Sequence, residues 1–103
     1  MTATYTTVAK KTGRGQTRIW LEGDRLTAHG FAPLTVYRID HFAGRIICTV
    51  DPKGPRKVTN SVRAGKSRPI IDLHSKAVTE AISPGSNVEV TFETGVITIT
   101  QIV

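Results

Sequence analysis

The residues of this chain that carry chemistry are cations, and they come in two groups. Lys10, Lys11, Arg14 and Arg18 fall within the first 18 residues with no acid among them, a charge of +4. Lys53, Arg56, Lys57, Arg63, Lys66 and Arg68 fall within residues 51–68 against Asp51 alone, a charge of +5. Residues 19–50 are neutral and residues 69–103 carry −3, so the net +6 is made by these two segments. Flexible cations gathered in this way suit phosphates, because neutralising them releases condensed counterions and that release supplies affinity whatever the base sequence. The same side chains also suit an acidic protein surface. These ten residues are the candidate binding site, and the bland alternative is a solvated, solubilising surface.

Catalysis has little support beside them. His29, His41 and His74 lack the spacing with a carboxylate that marks a metal-binding helix. His29 is expected at a helix end, where the helix dipole favours a cation. Asp72 and His74 are expected to cap backbone groups at a strand-to-helix turn. Cys48 is the one cysteine, which excludes an intramolecular disulfide and a multi-cysteine zinc site. It stands in an apolar stretch, Arg45–Val50, and reads as a small buried hydrophobe. Trp20 reads as core, and with few other aromatics base stacking is disfavoured. The chain is therefore expected to be non-enzymatic, with no metal and no cofactor.

The elements that must position these cations repeat. Residues 19–49 echo in residues 70–100 at a displacement of 51: Ile19 with Ile70, Pro33 with Pro84, Gly44 with Gly95, Ile46 with Ile97, Thr49 with Thr100. Each copy reads as an apolar strand, a short helix, a break containing Pro, and a hairpin turning at Gly. In the first copy Asp24 is expected to cap a helix over Asp24–His29, with Gly30 ending it. Thr35–Asp40 and Arg45–Val50 then form a hairpin. In the second, Ser75 caps a helix to about Ala81, and Asn87–Phe92 and Val96–Ile102 form the hairpin. Either face of that last strand has apolar residues enough to be buried. The expected organisation is one domain: a basic arm (1–17), repeat one (18–50), a basic linker (51–68) and repeat two (69–103). Residues 4–8 can add an edge strand and Lys57–Val62 a short one, while Ala64–Arg68 reads as loop. Units this small bury a core only together, so a single-chain pseudo-dimer is expected.

The segment Leu21-Glu22-Gly23-Asp24-Arg25-Leu26-Thr27-Ala28-His29-Gly30-Phe31 resembles the signature of SymE-like proteins of the AbrB-type swapped-hairpin group. Leu21, Gly23, Leu26, Gly30 and Phe31 carry the likeness. His29 replaces a small residue, and Leu34 stands where the group has a turn glycine, which the second copy keeps as Gly85. The resemblance implies a mostly β fold with two short helices, a swapped-hairpin β-barrel closed here within one chain. It also implies nucleic-acid or partner binding in a bacterial or phage setting. Three functions follow as expectations. The first is nucleic-acid binding, DNA before RNA, mainly through phosphates. The second is a phage-encoded inhibitor or adaptor that docks on a host defence protein such as a CRISPR-type nuclease complex. The third is a SymE-like toxin acting on RNA. No apolar run approaches the roughly 20 residues that span a bilayer, and the Thr-rich start ending in Lys10-Lys11 is unlike a signal peptide. A cytoplasmic protein without a membrane partner is expected, monomeric if the repeats pair within the chain, with a dimer as the alternative.

Overall fold

The computed structural model describes residues 2–102 and is mostly β, with two short helices. Its strands are β1 (Ala3–Val8), β2 (Lys10–Lys11), β3 (Thr17–Glu22), β4 (Val36–Phe42), β5 (Arg45–Val50), β6 (Arg56–Lys57), β7 (Thr59–Arg63), β8 (Lys66–His74), β9 (Asn87–Glu93) and β10 (Val96–Gln101). The helices are α1 (Asp24–Ala28) and α2 (Lys76–Ala81). Antiparallel pairing gives a six-stranded sheet in the order β1-β9-β10-β5-β4-β6 and a four-stranded sheet in the order β2-β3-β8-β7.

Both sheets form where β-branched residues alternate with polar ones and so give one buried face. Ile19, Leu21, Ile71 and Leu73 from the small sheet meet Tyr37, Ile46, Cys48, Val88, Val90, Phe92, Ile97 and Ile99 from the large one in a single core. Leu26 of α1 and Val78 of α2 close it. The last strand is settled by this packing: Ile97 and Ile99 face inward, and Ile102 is exposed. The expected barrel is not formed, because the sheets do not close on one another. The chain passes between them at buried Ala9 and Val58, whose backbone groups bond to loops and so interrupt the ladder. Ala9 N–H donates to the Ser86 carbonyl, and the Ala9 carbonyl accepts from Gly85 N–H. Val58 N–H donates to the Thr35 carbonyl, and the Val58 carbonyl accepts from Leu34 N–H.

Those two crossings correspond, since Gly85 and Ser86 stand 51 residues after Leu34 and Thr35. The duplication therefore includes the segments expected to lie outside it. The arm is β1, Ala9 and β2; the linker is β6, Val58 and β7. Each half lends its first strand to the hairpin of the other: β1 lies on β9, and β6 on β4. Each hairpin turn also docks on the other half's helix. Gly44 N–H reaches the Ala81 carbonyl at 2.8 Å, and Gly95 N–H reaches the His29 carbonyl at 2.7 Å.

The displacement is not uniform. It is 51 in the hairpins, where Ile46 and Cys48 match Ile97 and Ile99, all buried. In the leading strands it is 52, where buried Ile19 and Leu21 match buried Ile71 and Leu73. A slip of one residue turns a strand's whole apolar set to the other face, so burial fixes the correct alignment. The extra residue of the first half lies at the end of α1. There Gly30 takes φ 94° and Phe31 N–H donates back to the Leu26 carbonyl, whereas Ile82 leaves α2 extended.

Three local expectations are corrected. Asp24 does not cap α1; Gly23 does, with no side-chain hydrogen bond, and Asp24 is the first helical residue. Residues Lys66–Arg68 are strand rather than loop, because β7 pairs with them as far as Arg63↔Lys66 over the Ala64-Gly65 turn. Trp20 lies outside the core. It alternates with Ile19 and Leu21, which face inward, and is therefore 44% exposed on the outer face of the small sheet.

Candidate functional site

The outer face of the small sheet gathers part of the predicted site. Lys10 pairs with Arg18 across β2 and β3, and Arg18 pairs with His74 across β3 and β8. Residues directly opposite in an antiparallel pair share a face. Along β3 that face shows Arg18, Trp20 and Glu22; along β8 it shows His74, Asp72, Ile70, Arg68 and Lys66. β7 adds Thr59, Ser61 and Arg63 through its pairing with Ile70, Arg68 and Lys66. One end of this face opens into a cleft of about 790 Å³, lined by Trp20, Glu22, Asp24, Ser61, Arg63, Lys66, Ser67, Arg68 and Ile70.

Ion pairing sorts the cations. Arg18 is committed: its Nε and Nη2 donate to both carboxylate oxygens of Asp72 at 2.9 and 2.8 Å. That bidentate geometry fixes the guanidinium plane, which lies 5.1 Å from the centre of the Trp20 ring. Asp72 therefore orients Arg18 rather than capping a turn, with His74 Nε2 also near it at 3.8 Å. Arg68 is only loosely held, its Nη1 4.0 Å from Glu22 Oε2 with both side chains well exposed. An exposed pair of this kind contributes little, about 0–1 kcal/mol. Among the described residues, Lys10, Lys11, Arg14, Lys53, Arg56, Lys57, Arg63 and Lys66 are exposed and form no ion pair.

The remaining predicted residues are placed elsewhere. Lys11 pairs with inward-facing Thr17, and Arg14 sits in the β2–β3 loop. Lys53 stands in the turn after β5, where its backbone N–H donates to Asp51. That N–H, and then the Arg38 guanidinium, hold the Asp51 carboxyl below the usual carboxylate range. Lys57 points from β6 at the edge of the large sheet. Arg56 is exposed and bridges from β6 to β8 at the surface, with Nη2 3.4 Å from the Asp72 carbonyl. The structure thus brings Arg63, Lys66 and Arg68 together at the cleft. Lys10 shares their face at its far end, on the opposite edge strand.

Trp20, Ile70 and Ser61 were absent from the sequence-derived site. The signal for Trp20 was available: if Ile19 and Leu21 are core, strand alternation sends the residue between them outward. Nothing in the sequence pairs Ser61 with Arg68, which depends on the β7–β8 register. The large sheet offers no counterpart. Its outer face mixes Arg38 and Arg45 with Asp40, Glu89 and Glu93 among threonines.

The histidines are dispersed. His29 is buried against Phe92, ring centres 5.4 Å apart, with Nδ1 2.8 Å from the Arg25 carbonyl. Its Nε2 is buried with no hydrogen-bond partner. Among the described residues no three His, Cys, Asp or Glu side chains stand close enough to hold a metal ion. Nor is any helix among them long and apolar enough to cross a membrane. Fold and site together define a small, mostly β protein with one basic, cleft-bearing sheet face. Comparison with families of proteins, with curated proteins and with solved structures found no match to this chain.

Proposed function

We propose that this chain is a non-enzymatic nucleic-acid-binding protein, acting on DNA before RNA, that holds phosphates on the outer face of its small sheet. The observation that carries the reading is the grouping of Arg63, Lys66 and loosely held Arg68 around one cleft, with Lys10 on the same face. Cations without fixed partners keep their charge available, whereas Arg18 is already neutralised by Asp72. The interlocked halves support reading the chain as a single-chain relative of the SymE-like, AbrB-type swapped-hairpin proteins. That group supplies the class of function but not the contact residues, because the cations lie outside the matched segment.

The test is DNA binding across a salt series. Four phosphate contacts give a log–log slope of about −3 on single strands and nearer −4 on duplex. Reversing Arg63, Lys66 and Arg68 to Glu abolishes binding for all sequences alike, while reversing Arg45 on the large sheet leaves it within about twofold. Absence of binding at low salt overturns the proposal.

A further inference from the structure

We infer that the cleft beside Trp20 takes an unpaired base of single-stranded DNA, stacked on the indole, while Arg63, Lys66 and Arg68 hold the flanking phosphates. This rests on the nucleic-acid reading above and adds the state of the strand that is bound.

The first observation is the exposure of Trp20. An indole on the outer face of a sheet stabilises no core, and it lines the cleft together with Ile70 and the basic residues of the β7–β8 turn. Aromatic side chains beside a basic groove are stacking platforms for single strands, and every base has a face to offer. The second is the environment of its ring. Arg18 lies over the indole and is itself pinned by Asp72 in a bidentate pair. Arg18 is thereby removed from phosphate binding and steadies the platform.

The third observation is the division of charge inside the cleft. Glu22 and Asp24 line the Trp20 side, and Arg63 and Lys66 line the other. Phosphates are repelled from the carboxylates and drawn to the β7–β8 turn, which leaves the base on the indole side. The volume, about 790 Å³, lies within the range of small-ligand pockets. A base inside a duplex has both faces covered by its neighbours, so stacking on Trp20 selects an unpaired one.

Trp20 is the one tryptophan of the chain, so its fluorescence reports this cleft alone. The full chain is titrated with a thymidine oligonucleotide of about 12 residues, a span within the reach of small single-strand-binding folds. A duplex of equal length is titrated in parallel. An end label on each nucleic acid reports binding independently by anisotropy. The expected result is quenching by the single strand that saturates together with the anisotropy, and little quenching by the duplex. Trp20→Ala lowers single-strand affinity about tenfold or more and Trp20→Phe restores most of it, in keeping with the known worth of one base stack. Matching circular dichroism spectra show that both variants fold. Single-strand binding without quenching, or undiminished in Trp20→Ala, overturns the inference and leaves the nucleic-acid reading standing. Absence of binding to either nucleic acid overturns both.

Discussion

Cys48 lies fully buried in β5, and desolvation there pushes its thiol up to about 12. It is a packing residue, since the thiolate that reacts with electrophiles or metals is not formed at neutral pH. The shift has a consequence for stability. Above pH 9 the unfolded chain releases the thiol proton while the folded chain retains it to about 12. The folded state then binds more protons, and stability falls as pH rises. Between pH 9 and pH 11 the parent should therefore lose about 2 kcal/mol more than Cys48→Ala, read from urea unfolding at each pH. Equal losses would show that the thiol ionises in the folded chain. Tyr37 is raised in the same direction, chiefly by its own burial, which is common to both proteins. At this scale the sequence was legible for Cys48 and for the helix-end position of His29, whereas for Trp20 residue type was a poorer guide than strand alternation.

The turn before each hairpin shows how one element is solved twice. Gly85 takes φ 80° so that its N–H reaches the Ala9 carbonyl; Leu34 takes φ 71° so that its N–H reaches the Val58 carbonyl. The hydrogen bond that joins the halves demands this conformation, which suits glycine and strains leucine by about 1–2 kcal/mol. Leu34 is 58% exposed and gains little from burial. Leu34→Gly should raise stability by about 0.5 kcal/mol once the greater freedom of glycine in the unfolded chain is counted, and Gly85→Leu should lower it by about 1 kcal/mol. Urea midpoints of the two variants check the opposite signs. The helices were legible in outline: Ser75 caps α2 by accepting from Val78 N–H at 3.1 Å, as its type and position announced. The strands β2 and β6 were not, because two residues carry no period. Their existence depends on partners far along the chain.

For the molecule as a whole, the interlocking makes each half incomplete. β1 has its partner in the second half and β6 in the first, and the one core draws on both. Peptides spanning residues 1–51 and 52–103 should each fail to fold as monomers, and an equimolar mixture should recover the β-rich circular dichroism of the intact chain. A half that folds at all concentrations would show that the core is divisible. By itself the sequence determined the mostly β composition, the duplication, the two hairpins and the two basic segments, because these depend on local alternation, turn residues and charge. It also contained the alternation that exposes Trp20. Only the tertiary structure decided that the arm and linker are strands of the repeat, that the leading strands align at 52 rather than 51, and that the sheets stay open. It alone paired Arg18 with Asp72 and left Arg63, Lys66 and Arg68 around a cleft. Those outcomes turn on register and on contacts between residues about 50 apart, which no local window of sequence records.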